Sequence, residues 1–222
     1  MITPTRTTRL SLILATALAL VALYDHASAQ TSPQTCLAQQ LNASGRTCKA
    51  IARCYARAMQ SGEALDPACL SAAGRRLGTI MTEVETLALG TCLTEQMAPT
   101  VAAAIGDGLD PMANALTMAG GHCASKKMGH LGKECAGYFR CYAVGAAGSS
   151  SVDPACLAVH QGKLVKTFDK AERKGNCVVT GDRATLEAMV ASLADEVFVI
   201  LRGTGTTTTT TTTATSSTST LP

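Results

Sequence analysis

The chain has no tryptophan, and only 3 phenylalanines and 4 tyrosines in 222 residues. So few rings leave little for stacking on bases or sugars. Charge of one sign is missing as well: 19 Lys+Arg against 16 Asp+Glu leave +3. Nucleic-acid binders draw their affinity from many Lys/Arg–phosphate contacts, so no nucleic-acid partner is expected. Catalytic signatures are absent too: the sequence holds no Cys-x-x-Cys, no Gly-x-Ser-x-Gly and no His-Glu-x-x-His. Thiol-disulfide catalysis, the serine-hydrolase elbow and zinc proteases lose their usual motifs. No stretch alternates like a β-strand over a useful length, and a chain without strands must build its core from helices.

A hydrophobic fraction of 46% is enough for such a core. Residues 1–29 read as a secretory signal peptide: Arg6 and Arg9 open it, Leu10 to Leu23 are apolar, and Ala27-Ser28-Ala29 is a small-x-small cleavage site. That apolar run is short for a bilayer span, so no span is expected after cleavage. Residues 204–222 are almost all Thr and Ser. A tract with nothing to bury reads as disordered, either a solvated spacer or an O-glycosylated stalk.

All 10 cysteines lie between these ends, and they repeat. Cys36, Cys48, Cys54 and Cys69 are separated by gaps of 12, 6 and 15, and so are Cys123, Cys135, Cys141 and Cys156, each 87 residues later. The fifth pair, Cys92 and Cys177, is 85 apart. Flanking residues repeat: Arg53-Cys54-Tyr55-Ala56 with Arg140-Cys141-Tyr142-Ala143, and Asp66-Pro67-Ala68-Cys69-Leu70 with Asp153-Pro154-Ala155-Cys156-Leu157. Two tandem Cys-rich helical modules follow, 30–121 and 122–203.

Apolar residues at steps of three and four (Leu70, Ala73, Leu77, Ile80, Val84, Leu87; Leu186, Met189, Val190, Leu193, Val197, Leu201) mark amphipathic helices. Asp-Pro starts a helix: Asp66 and Asp153 serve as N-caps, with Pro at the first helical position. The expected helices are A at 35–60, B at 67–89 and C at 94–117, then 123–147, 154–174 and 182–202. Gly45, Gly129, Gly132 and Gly137 fall inside the A helices, so two short helices in place of each is the alternative. Asp107-Gly108-Leu109-Asp110 reads as a turn, and Thr180-Gly181-Asp182 as a cap of the last helix.

A signal peptide with this many cysteines implies an oxidising compartment and a disulfide framework. In an antiparallel A–B hairpin turning near residue 63, Cys36 lies opposite Cys92 and Cys54 opposite Cys69. The second hairpin likewise sets Cys123 opposite Cys177 and Cys141 opposite Cys156. Cys48 and Cys135 are left over; they either bridge the modules across a pseudo-twofold or stay free thiols. Cys69 and Cys156 occupy a helix's first turn, where thiols acidify, yet without Cys-x-x-Cys they read as structural.

Histidines after the signal region are His122, His130 and His160, all in the second module. The first module keeps the matching cysteines without them, so no metal and no cofactor is expected, and the histidines read as exposed. The modules differ in charge: residues 36–121 hold 6 basic and 7 acidic residues, residues 122–203 hold 11 and 8. Lys163, Lys166, Lys170, Arg173 and Lys174 lie along the second helix B; they read as a solvated face, or as a patch for an anionic polymer.

Arg-Cys-Tyr-Ala, Asp-Pro-Ala-Cys-Leu and Lys170-Ala171-Glu172-x-x-Gly175-x-Cys177-x-x-x-Gly181-Asp182 resemble secreted Cys-rich helical repeat proteins of bacteria, of myxobacteria-like lineages. The likeness covers most of 36–203; after Cys92 the first module departs, lacking the Gly-Asp and placing Asp110-Pro111 inside helix C. The resemblance implies fold and export and brings no activity. The expectation is an all-α, disulfide-stapled protein that is secreted or held at the cell surface, with the periplasm as a further location. It is expected to be no enzyme, with a structural or binding role toward an extracellular protein or polymer. Two alternatives stand beside it: a periplasmic thiol-active or metal-binding protein using Cys48 and Cys135, and a secreted inhibitor or effector.

Overall fold

In the computed structural model, residues 32–117, 121–174 and 177–203 are described; the expected signal peptide and the Thr-rich stretch lie outside them. The described chain is all helical: α1 (Pro33–Ser61), α2 (Pro67–Ala88), α3 (Ala98–Thr117), α4 (Gly121–Ala147), α5 (Pro154–Glu172) and α6 (Arg183–Leu201). The starts follow from local chemistry. Asp66 and Asp153 accept from the N–H groups of Ala68 and Ala155, both at 2.8 Å, with Pro67 and Pro154 next in line. Ser32 caps α1 in the same way through the Thr35 N–H, and Gly62 closes that helix with φ 73°.

The first and fourth helices do not break at their glycines; α1 is one helix of 29 residues and α4 one of 27. The reason is tertiary. The two helices run antiparallel in the most extensive helix pair of the protein. A Cβ on Gly132 would lie 2.5 Å from Ala52 Cβ, and one on Gly45 would lie 3.0 Å from Phe139 Cβ. Glycine here is the space into which the partner helix fits.

Asp107-Gly108-Leu109-Asp110 is likewise helix and not a turn, lying within α3. Gly108 faces Leu193 of α6, whose Cδ1 would be 2.7 Å from an added Cβ. Pro111 sits inside α3 without ending it. Its missing N–H costs one helical bond, and the fully buried Leu109, Met112 and Leu116 hold the helix on either side.

Helices α1, α4, α3 and α6 form the centre, and α2 and α5 flank it, each touching only helices of its own half. One apolar cluster runs through both halves, from Leu37 and Leu41 to Val197 and Leu201. The two halves therefore share a core. No helix among the described residues is long and apolar enough to cross a membrane.

Candidate functional site

Five disulfides tie the helices together: Cys36–Cys92, Cys54–Cys69, Cys123–Cys177, Cys141–Cys156 and Cys48–Cys135. These are the pairs that the hairpin geometry selects, with the two remaining cysteines joined across the halves. No cysteine is free. Cys48 and Cys135 are fully buried where α1 crosses α4. Each A–B hairpin is thus clamped at both ends, and the hairpins are clamped to each other. Closing a loop of sequence separation 15 or 56 removes about 3 or 4 kcal/mol of unfolded-chain entropy in the loop-closure treatment.

Two polar contacts recur in both halves. Tyr55 donates to Asp110 at 2.6 Å, and Tyr142 donates to Asp195. Burial, then the carboxylate beside each, pushes both phenols well above their ordinary range. The second contact pins the loop after each helix B. Gln40, fully buried, donates to Glu85 (3.3 Å) and to the Thr94 carbonyl (3.1 Å), while Glu85 accepts from the Gln96 N–H (3.1 Å). At the corresponding place Lys127, also fully buried, meets Glu172 (2.7 Å), Asp182 (2.6 Å) and the Val179 carbonyl (3.0 Å). Glu172 accepts from the Gly181 N–H at 3.3 Å, and Lys127 also lies 5.2 Å from the Phe168 ring centre. A buried ammonium needs this many partners to offset its lost hydration.

Asp182 is therefore no side-chain cap. It stands at the N-cap position of α6 but makes no capping bond, because its carboxylate is turned to Lys127. Sequence reasoning missed this buried lysine; its signal was Gln40 one repeat earlier, facing an unchanged Glu85/Glu172 pair.

The chemistry that differs between the halves lies in a cleft between α4 and α5. Two adjoining hollows, of about 300 and 250 Å³, share His130 and Thr167. Their walls carry Lys126, Lys133, Lys163, Lys170 and Lys174, with His160 and Glu134. Of the five helix-B cations singled out from the sequence, Lys163, Lys170 and Lys174 line this cleft, and Lys166 and Arg173 lie outside it. Of the three histidines, His122 is exposed, whereas His130 and His160 are half-buried cleft walls. His160 lies over Gly137, where an added Cβ would be 2.1 Å from Nδ1.

Burial, then Lys133 and Lys126, holds His130 below the usual imidazole range; burial, then Lys163 and Arg140, does the same for His160. Glu134 is 3% exposed and its Oε1 has no partner. Burial, reinforced by Glu187 and opposed by Lys163, pushes its carboxyl up to about 7. Thr167, the cleft's hydroxyl, donates to the Leu164 carbonyl at 2.9 Å.

Cys141, Cys156 and His160 also come within metal-binding distance of one another. Their two sulfurs are bonded together in a disulfide and offer no thiolate, which is the form that ligates metals. No family model, no curated protein and no solved structure matches the chain.

Proposed function

We propose that the chain is an exported, non-enzymatic protein, built from a tandem duplication, that acts as a rigid binding or structural element outside the cytoplasm. The observation that carries this reading is the complete pairing of all ten cysteines in five disulfides, which requires an oxidising compartment to form and persist. The signal-like residues 1–29 and the resemblance to secreted bacterial Cys-rich repeats agree with it. The duplication is supported by Cys48–Cys135, which joins positions 87 apart, and by the paired Tyr–Asp contacts. A binding role is favoured over nucleophilic catalysis because the cleft offers cations and no serine or free thiol, and its one hydroxyl is bonded to backbone. The thiol-active alternative loses support because Cys48 and Cys135 are buried and joined to each other.

Intact-mass measurement of the exported protein tests the reading, with and without a thiol-alkylating reagent under non-reducing conditions. The expected result is cleavage after Ala29, the mass deficit of five disulfides and no alkylation. Retention in the cytoplasm with reduced thiols overturns the export reading. Alkylation at Cys48 and Cys135 in the native protein returns the thiol-active one.

A further inference from the structure

We infer that the cleft between α4 and α5 is a binding site for a linear acidic polysaccharide, one carrying an anionic group on each successive sugar. The inference rests on the binding role proposed above and names its ligand class.

Five lysines and two histidines converge on two adjoining hollows, with Glu134 as the lone acid on the walls. Lys163, Thr167, Lys170 and Lys174 fall at steps of four, three and four along one edge of the cleft. From Lys163 to Lys170 that edge follows seven residues of α5, or roughly 10 Å at 1.5 Å per residue, and Lys174 extends it just past the helix end at Glu172. The cations on this edge stand two turns and then one turn apart, a spacing that suits charges carried one per sugar better than the tighter spacing of adjacent phosphates in a polyphosphate. No aromatic residue lines either hollow, so a ligand is held there by charge and hydrogen bonds and not by stacking of bases or sugar rings. The cations are all lysines, point charges that attract anionic groups without the planar fork by which arginine grips one phosphate.

One repeat earlier, His130 corresponds to Ala43, His160 to Ala73, Lys126 to Gln39, Lys170 to Glu83 and Lys174 to Leu87. Only the cations at 133 and 163 have basic counterparts, Arg46 and Arg76. The frame around the cleft is nonetheless the same in both halves, with the same disulfides and the same Tyr–Asp contact. His160 has been accommodated by a compensating change: Gly137 stands where the first half has Ala50, and an added Cβ would occupy the imidazole's place. Stability does not need these changes, since the first half makes the same fold without them. A ligand does.

The Oε1 of Glu134, on the wall of the cleft, is buried and without a hydrogen-bond partner. A carboxylate at the floor of a cationic cleft repels an anion, but a carboxylic acid donates a hydrogen bond to one. Glu134 faces Glu187 of α6 and Lys163 of α5; His160 faces Lys163 and Arg140; His130 faces Lys126 and Lys133. Protonation of Glu134, whose carboxyl is pushed up to about 7, removes the one negative charge from the cleft, so binding tightens as pH falls through that value; the two histidines, held below the usual imidazole range, add their charges only further into acid.

The test is titration calorimetry of the purified full disulfide-bonded protein with an oligogalacturonate hexamer at low ionic strength. Three proteins are compared: wild type, K163Q/K170Q inside the cleft, and K166Q/R173Q on the same helix outside it. Both double variants remove the same charge from exposed positions, and circular dichroism checks that each remains folded. Wild type should bind one hexamer per chain. K163Q/K170Q should weaken binding about tenfold and K166Q/R173Q less than about twofold, because only contacted cations release counterions. Equal losses in the two variants would reduce the attraction to diffuse net charge and overturn the site. No binding by wild type overturns it as well. Tighter binding of tripolyphosphate than of the hexamer overturns the polysaccharide in favour of a phosphate chain. Binding is measured on purified protein, so a failure of export leaves this result standing, and a failure of binding leaves the export reading standing.

Discussion

Replacing Gly132 by alanine tests the central helix pair directly. On an exposed helix, Gly→Ala adds about 1 kcal/mol of stability, through helix propensity and a stiffer unfolded chain. At Gly132 the new methyl would sit 2.5 Å from Ala52 Cβ and 3.3 Å from Lys49 Cα, against the 3.5–4.0 Å at which carbons attract. Ala52 has no rotamer to change, and Lys49 Cα is backbone, so α1 and α4 must separate. They cannot separate freely, because Cys48–Cys135 holds their Cα atoms 6.3 Å apart a turn away. Overpacking of this kind costs about 1–3 kcal/mol, and here the upper end applies; subtracting the propensity gain leaves a loss of about 2 kcal/mol. Gly129, one turn earlier on the same helix, has nothing within 4 Å of its Cβ position. G129A should therefore stabilise by about 0.5–1 kcal/mol. G45A, whose closest contact is 3.0 Å, should fall between them. The assay is urea unfolding followed by circular dichroism with disulfides intact, requiring equal m-values. If G132A is as stable as G129A, the two helices do not approach as described.

Removing the inter-half bridge with C48A/C135A reopens a loop of sequence separation 87 and should cost about 4 kcal/mol, seen as a lower urea midpoint with the other four disulfides intact. K127M strips the cation from Glu172 and Asp182, whose side chains are 21% and 15% exposed; the loss should be about 3 kcal/mol at neutral pH. K127Q, which installs the residue of position 40, should cost less than K127M in the same unfolding experiment. E134Q addresses the raised Glu134, whose carboxyl moves from 4.5 to about 7 on folding. Such a group stabilises the fold fully below pH about 4.5, and its contribution is lost as pH rises through about 7. E134Q should therefore gain stability relative to wild type across that window, measured as the difference between paired unfolding curves; a flat difference would refute the shift.

The helix layout was legible because its signals are local. Asp66-Pro67 and Asp153-Pro154 mark starts that need no tertiary partner, and the apolar steps of α2 and α6 follow from one-sided burial. The bridges were legible because an antiparallel hairpin leaves each cysteine few opposite positions. What escaped depends on residues distant in sequence. Gly45 and Gly132 looked like helix breakers because the side chains that need their space lie on the other half. Asp107-Gly108-Leu109-Asp110 looked like a turn for the same reason: Gly108 receives Leu193, and Asp110 accepts from Tyr55. The cleft was half legible. Five cations on helix B were visible, but which of them converge depends on α4, whose Lys126, His130 and Lys133 supply the facing wall.

The internal comparison separates frame from function more sharply than either half does alone. Pairs present in both halves, Tyr55–Asp110 with Tyr142–Asp195 and Gln40–Glu85 with Lys127–Glu172, each fasten a helix or loop to an A helix. At 40 and 127 the partner changed from amide to ammonium while the tether survived, because a second carboxylate, Asp182, balances the added charge. Those positions are under a structural demand that either chemistry meets. No such balance exists at the cleft. Lys126, Lys170 and Lys174 replace neutral or acidic residues without added acids on the walls beyond Glu134, and like charges gathered in a concave site repel one another. A fold that its other half makes without them gains nothing from that repulsion, so its use lies in an external anion that relieves it.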